Sequence, residues 1–212
     1  VCRFSSAGYC VHEEFVLSSH MNQVFIRIPF YHFIAVDRYN GCQVINISPD
    51  INPSHLHADI QVPINGATDP AFGISMVQVI LEEGIADYDF MREQTDLGYL
   101  VRTDTRRYLR ETDVTGEGRE DQMYQWDPAS GLKLADRADM RLNGLQIALE
   151  GTFDVKLADG STVQVRPALV ALKEHLDAKY TPEQQQEITG VHPDTIRLIA
   201  RMVAAKRTNI ML

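Results

Sequence analysis

The sequence predicts an α/β fold, in which a parallel sheet is flanked by helices and carries an appended β-hairpin and C-terminal helices. Short apolar runs of strand length alternate with helix-like patterns through the first half of the chain, as in βαβ units. Two of these runs, residues 44–47 and 59–63, each end in a polar loop. Both loops should then lie at the carboxyl edge of the sheet, where open α/β sheets bind ligands.

The first βαβ unit is predicted over residues 14–47. Residues 14–18 form the first strand, and a polar loop, residues 19–23, follows it. The helix begins near Pro29, since proline is favoured in a first turn, and it ends at Asn40-Gly41. The next strand is residues 44–47, and we expect it to run parallel to the first through a right-handed crossover.

Asp69 and Pro70 predict the start of the next helix, as N-cap and first-turn proline. This helix ends at Gly84 and places its apolar side chains on one stripe. The stripe comprises Phe72, Met76, Val79 and Ile80. A shorter helix is predicted from about Asp87 to Asp96, and a strand at Leu100-Val101.

The last third of the chain contains the clearest hairpin. Residues 152–157 and 162–165 alternate apolar and polar side chains around the turn Ala158-Asp159-Gly160. Three further helices are each marked by a proline, at Pro167, Pro182 and Pro193.

The chain is expected to divide into three parts. Residues 1–110 form the α/β layer, and residues 151–212 add the hairpin and C-terminal helices. Between them, residues 111–150 are dense in Asp, Glu and Arg and are interrupted by glycines, which predicts an extended insertion or linker.

Composition and motifs exclude several classes of function. The net charge of −9 argues against nucleic acid as a partner, because phosphate backbones require a basic face. No CxxC pair occurs among Cys2, Cys10 and Cys42, so this chain alone builds no zinc ribbon or iron–sulfur cluster. No apolar run has the length of a membrane span.

The sequence identifies no catalytic residue and no metal ligand. It holds no Ser/His/Asp triad pattern, no P-loop and no GxGxxG. His55 and His57 would share one side of an extended segment, yet no third ligand lies nearby, so a structural role is favoured over a metal site.

Three polar residues at strand ends have both a structural and a ligand-binding interpretation. Asp50 is either a turn residue or an acceptor for a ribose hydroxyl. Asp69 either caps its own helix or accepts two N–H bonds from a guanine edge. Asn22 is either an ordinary loop residue or a contact to phosphate or ribose. Each structural role is favoured when its residue is considered alone, but together the three loops favour one extended ligand.

The three loops together resemble motifs of the molybdopterin-guanine-dinucleotide oxidoreductases of the dimethyl sulfoxide reductase family. The resemblance lies in residues 20–29, 46–50, 54–59 and 67–73, and it continues through Phe90-Met91-Arg92-Glu93-Gln94-Thr95-Asp96-Leu97. The hairpin and the last helix extend it. The chain looks most like the large catalytic subunits of the branch that includes nitrate, selenate, chlorate, dimethyl sulfide and ethylbenzene enzymes, which serve anaerobic respiration.

The resemblance implies that the α/β layer is Rossmann-like and holds one of the two pterin dinucleotides of a molybdenum bis(molybdopterin guanine dinucleotide). The first loop would meet the pyrophosphate or pterin, the second the ribose, and the third the guanine. The cofactor-binding residues implied in this way are Met21, Asn22, Ser48, Asp50, Gly66, Ala67, Thr68 and Asp69.

This sequence departs from the family pattern at two turns. Gln23 stands where the family has proline, and Gly66-Ala67 stands where it has Pro-Gly, which leaves the geometry of the second turn open. The family's iron–sulfur motif, molybdenum ligand and C-terminal barrel have no counterpart in these residues.

The chain is therefore expected to be a cofactor-cradling segment of a longer catalytic subunit that performs oxygen-atom transfer or hydroxylation. An iron–sulfur cluster is expected only in a region N-terminal to it. The implied partners are the remainder of that subunit and an iron–sulfur electron-transfer subunit, in a periplasmic or membrane-associated location. The alternative is a stand-alone or truncated nucleotide-binding or structural module without catalytic activity.

Overall fold

A computed structural model describes residues 14–18, 35, 36, 38–51, 58–135, 142, 144–205 and 207–211. The chain separates into two units, one formed by Val1–Ala86 with Leu176–Leu212 and the other by Asp87–His175. In chain order, the elements are β1 (Glu14–Ser18), β2 (Gln43–Ser48), β3 (Ile60–Pro63), α1 (Asp69–Glu82), α2 (Tyr88–Gln94), β4 (Leu100–Arg102), α3 (Glu111–Thr115), β5 (Tyr124–Asp127), β6 (Gly131–Leu134), β7 (Phe153–Lys156), β8 (Thr162–Pro167), α4 (Ala168–Lys179), α5 (Pro182–Thr189), α6 (Pro193–Ala205) and β9 (Arg207–Met211).

The first unit is built on a four-stranded parallel sheet with the strand order β3-β2-β1-β9. A parallel sheet with helices packed on it confirms the predicted α/β class. In β2, Val44 to Ser48 are all buried, which is typical of a parallel strand covered on both faces. The parallel pairing of β1 with β2 confirms the expected βαβ arrangement. The helix between them is described at residues 35, 36, 38 and 39, and its predicted start at Pro29 lies outside the described residues.

The core of the first unit joins β2 and β3 to α1 and α6. The predicted apolar stripe of α1 is confirmed, since Phe72, Met76 and Val79 are all buried in this core. From α6, Ile196 and Ile199 are completely buried there. Burying each such side chain contributes about 1.5–3 kcal/mol, so this cluster fixes α1 and α6 on the sheet.

The strand β9 was not expected from the sequence. It pairs in parallel with β1, from Glu14 opposite Arg207 to Ser18 opposite Met211. The strand reads Arg-Thr-Asn-Ile-Met, which offers no alternation of apolar and polar residues. Only its long-range pairing identifies it.

The second unit contains a three-stranded antiparallel sheet of order β4-β8-β7 and the two-stranded β5-β6 hairpin. The predicted β7-β8 hairpin is confirmed, and its strand β8 pairs with β4. Residues 111–134 differ from the expected extended segment, because they form α3, β5 and β6. Although this segment is rich in charged residues, Tyr124 is only 7% exposed and belongs to the core of the second unit. The ring of Trp126 stacks on that of Phe153, with 4.3 Å between the ring centroids. Among the helices that the structure describes, none is long and apolar enough to cross a membrane.

Candidate functional site

The carboxyl ends of β1, β2 and β3 lie at the same edge of the sheet. The register places Ser18 opposite Asn46, and Ser48 opposite Pro63, in parallel pairs. The loops that follow β2 and β3 therefore leave neighbouring strands at one edge. The structure brings the predicted residues of these two loops to that edge. Met21, Asn22, His55 and His57 lie outside the described residues.

The loop after β2 is organised by a hydrogen bond between two predicted site residues. Ser48 is buried, and its Oγ lies 3.0 Å from Asp50 Oδ1 and 3.0 Å from the Asp50 backbone oxygen. Asp50 itself is exposed. Within the described residues, Asp50 Oδ2 has no hydrogen-bond partner. The turn role proposed for Asp50 is thus compatible with a second, outward-facing acceptor on the same carboxylate.

The loop after β3 forms a tight turn over residues 65–68. The Thr68 N–H donates to the Asn65 carbonyl at 3.3 Å, and the Thr68 hydroxyl donates to the same oxygen at 2.7 Å. Ala67 has a φ of +63°, the left-handed conformation that glycine favours at the third position of such a turn. Ala67 therefore has a backbone conformation that is strained for a residue with a Cβ.

The start of α1 corrects the prediction that Asp69 is an N-cap. Thr68 occupies the cap position, and its carbonyl accepts from the Ala71 and Phe72 N–H groups at 3.0 and 3.1 Å. Its hydroxyl turns back to Asn65, so no side chain caps this helix. Asp69 is the first helical residue, and its carboxylate has no hydrogen-bond partner among the described residues. The carboxylate is still favourably placed near the positive end of the helix dipole.

Asp50 and Asp69 supply carboxylate acceptors at this edge of the sheet. In the described part of the chain, no group of three or more His, Cys, Asp or Glu side chains could hold a metal ion. Asp50 lies two residues after the end of β2, and Asp69 is the first residue of the helix that follows β3. Each carries a carboxylate oxygen that has no partner among the described residues.

Sequence reasoning missed Asn65, which takes part in as many hydrogen bonds as Thr68, the best-bonded predicted residue of its loop. Its N–H donates to Thr189 O at 2.8 Å, and its Nδ2 donates to Ile188 O at 2.9 Å. The Asn-Gly pair marks a turn in the sequence, but the partner of that turn is over 120 residues away. Nothing local could have revealed it.

No family model matches the chain. The alpha subunit of perchlorate reductase from Dechloromonas aromatica is 32% identical to it, over 94% of this chain and 24% of that protein. The alpha subunit of chlorate reductase from Ideonella dechloratans is 36% identical over 90% of this chain and 21% of that protein. The alpha subunit of dimethylsulfide dehydrogenase from Rhodovulum sulfidophilum is 34% identical over 94% of this chain and 22% of that protein.

The chain thus spans about a quarter of the length of the curated relatives that it matches. Among solved structures, acetylene hydratase from Pelobacter acetylenicus resembles it with a TM-score of 0.50 and 18% identity. That similarity covers 93% of this chain and 18% of the other, and it supports the fold alone.

Proposed function

The chain belongs to the dimethyl sulfoxide reductase family of molybdopterin oxidoreductases, which use a molybdenum–pterin cofactor, and from this premise we propose that it cradles the guanosine end of a molybdopterin guanine dinucleotide. One observation carries the proposal. The Ser48–Asp50 and Gly66–Asp69 loops leave adjacent parallel strands at the carboxyl edge of the sheet. A nucleotide laid along this edge meets both loops.

Asp69 is proposed to read the guanine base. Guanine presents two adjacent donors, N1–H and the 2-amino group, and the two oxygens of one carboxylate can accept both. Adenine has no such pair of donors. The Asp69 carboxylate is suited to this task because it does not cap α1 and has no partner among the described residues.

The turn before Asp69 leaves room for the base. A Cβ built on Gly66 meets no atom within 4 Å, and both Gly66 and Ala67 are exposed. The Thr68 hydroxyl uses its proton toward Asn65 and keeps its lone pairs as acceptors. We propose that these three residues line the face on which the base rests.

Asp50 is proposed to accept a ribose hydroxyl through Oδ2, while Ser48 holds Oδ1. An acid directly after the second strand of a parallel sheet is suited to this contact. The loop containing Met21 and Asn22 follows β1, and we propose it for the pyrophosphate or pterin end, where loop N–H groups bind phosphate well.

The bound molybdenum–pterin group would supply two-electron redox chemistry, and the residues of this chain would bind and orient it. We further propose that the chain acts within a longer oxidoreductase subunit that performs oxygen-atom transfer or hydroxylation. Its proposed partners are the rest of that subunit, with an iron–sulfur cluster in its N-terminal region, and an iron–sulfur electron-transfer subunit. The relatives are named as alpha subunits, which supports an assembly of several chains. We also propose a periplasmic or membrane-associated location.

The proposal is tested by asking what the protein carries when it is purified from cells that make the cofactor. Acid cleaves the pyrophosphate of the dinucleotide and releases guanosine monophosphate (GMP), which chromatography measures. We expect GMP from the wild type and much less from Asp69→Ala. The matched control is Asp154→Ala, which removes an exposed acid from β7.

Two results would contradict the proposal: no guanine nucleotide in the wild type, or equal amounts in wild type and Asp69→Ala. Pterin fluorescence in the same extract identifies the source of the nucleotide. GMP without pterin is the result expected of a nucleotide-binding module that lacks a redox role.

A further inference from the structure

We propose that Asn65 is a positioning residue, which fixes the guanine-reading turn by tying it to the C-terminal end of α5. The inference rests on the proposed function, since it assigns a role toward the base that Asp69 reads. Asn65 is not itself expected to touch the cofactor.

Asn65 connects the turn to the end of α5 through both its backbone and its side chain. Its N–H and Nδ2 donate to the carbonyls of Thr189 and Ile188, at 2.8 and 2.9 Å. These carbonyls belong to the last turn of α5, where helical carbonyls have no partner within the helix. On the other side, the carbonyl of Asn65 accepts both donors of Thr68, the residue that precedes Asp69. Asn65 thus takes part in all four of these hydrogen bonds.

Gly190 makes this connection sterically possible. It ends α5 with a φ of +74°, and a Cβ built on it would lie 3.2 Å from both Asn65 Nδ2 and Oδ1. That spacing is tighter than ordinary van der Waals contact. A side chain at position 190 would thus strain the backbone and press on the Asn65 amide.

The end of α5 is itself held firmly, which makes it a suitable anchor. The buried Thr189 hydroxyl donates to Gln185 O at 2.8 Å and accepts the Val191 N–H at 3.2 Å. Val191 is buried in the core of the first unit. Hydrogen bonds through Thr189 thus connect the turn at Asn65 to Val191 in the core.

The Asn65 side chain is exposed, so its hydrogen bond contributes little to the stability of the fold. We expect this hydrogen bond instead to keep Thr68 and Asp69 ordered before the ligand binds. Without it, the turn would have to become ordered on binding, at a cost in binding free energy. This separates a positioning role from a structural one, because a positioning residue changes how well the site distinguishes one base from another.

The test titrates the chain with GMP and with inosine monophosphate, which lacks the 2-amino group. The wild type should prefer GMP, because Asp69 can accept two bonds from guanine. In Asn65→Ala we expect GMP binding to weaken by about tenfold and the preference for GMP to shrink. In an Asp69→Asn background, Asn65→Ala should have little further effect, since the residue that it positions is already disabled.

Two additional variants keep the test decisive. Asn65→Asp has nearly the same shape but replaces the Nδ2 donor by a charged acceptor. The added charge acts equally on both nucleotides, so this variant should lose the same preference for GMP if Asn65→Ala folds poorly. Asn40→Ala removes an exposed asparagine that precedes β2, and it should bind both nucleotides like the wild type. Circular dichroism confirms folding of each variant.

The outcomes distinguish the two proposals. If the wild type binds no GMP, the proposed function and the role of Asn65 are both overturned. If the wild type binds GMP but the Asn65 variants keep its affinity and its preference over inosine monophosphate, only the role of Asn65 is overturned. An equal loss of GMP binding with and without Asp69→Asn would also overturn it, because the effect would then not act through Asp69.

Discussion

Ser48 Oγ lies 3.0 Å from Asp50 Oδ1, so a buried hydroxyl at the end of β2 holds the carboxylate of an exposed neighbour. The same hydroxyl is 3.0 Å from the Asp50 backbone oxygen. This pair holds one carboxylate oxygen, while Oδ2 has no partner among the described residues. The geometry suits a turn residue, and it is compatible with the contact to a ribose hydroxyl proposed above.

Replacing Asp50 by Asn should weaken GMP binding by about tenfold, since a hydrogen bond to a charged acceptor contributes roughly 1.5–3 kcal/mol. Calorimetric titration measures the change. The matched ligand is 2′,3′-dideoxyguanosine monophosphate, which lacks both ribose hydroxyls and should bind the two proteins equally. A loss of the same size for both ligands would show that Asp50 does not contact the ribose.

Ala67→Gly should stabilise the protein by about 1 kcal/mol, because the left-handed conformation costs a residue with a Cβ roughly that amount. Urea unfolding measures the difference. The control is Ala71→Gly in the first turns of α1, which should change stability in the opposite direction. If Ala67→Gly left the protein unchanged or less stable, residue 67 would not have the positive φ described here.

The ion pair between Glu83 and Arg201 should make stability depend on pH. Arg201 donates hydrogen bonds from Nε and Nη2 to both carboxylate oxygens of Glu83 and thereby lowers the pKa of that carboxyl below its ordinary value of 4.5. A lowered folded-state pKa adds stability above pH 4.5, and this contribution is lost as the pH falls through the folded-state value. Glu83→Gln should thus be less stable than the wild type at pH 7, by a modest amount because the pair is partly exposed.

Thermal unfolding of the two proteins at pH 7 and at pH 3 tests this expectation. The difference between them should be smaller at pH 3. A difference that stays constant across this range would mean that Glu83 is not the group responsible.

Ile196→Ala should destabilise the first unit by about 2–5 kcal/mol, since Ile196 is completely buried between α6 and the sheet. Leu198→Ala, on the same helix but 49% exposed, is the matched control and should have a much smaller effect. Urea unfolding followed by circular dichroism compares them. Equal effects would contradict the position of α6 on the core.

Local signals in the sequence were sufficient where a cap, a proline or a period of apolar residues decides the structure. The Thr181-Pro182 start of α5, with its capping box to Gln184, is one such case. Long-range pairing was not predictable in this way, as β9 shows. Residues 124–134 were missed because the charged segment before them masks a short hairpin.

For the candidate site, too, local features could be predicted from the sequence and long-range contacts could not. The order of strand, loop and acid predicted which residues reach the carboxyl edge, since parallel strands end at the same edge. The prediction that Asp69 is the N-cap was wrong, since Thr68 occupies that position and its hydroxyl donates to the Asn65 carbonyl. The role of Asn65 could not be predicted, since its partners lie on α5.

A crystal structure of the chain with GMP bound would test the central claim most directly. We predict guanine N1 and N2 within about 2.7–3.2 Å of the two carboxylate oxygens of Asp69, and the ribose beside Asp50. A base bound away from the loop after β3, or an Asp69 carboxylate turned onto the N–H groups of its own helix while GMP is bound, would contradict the account.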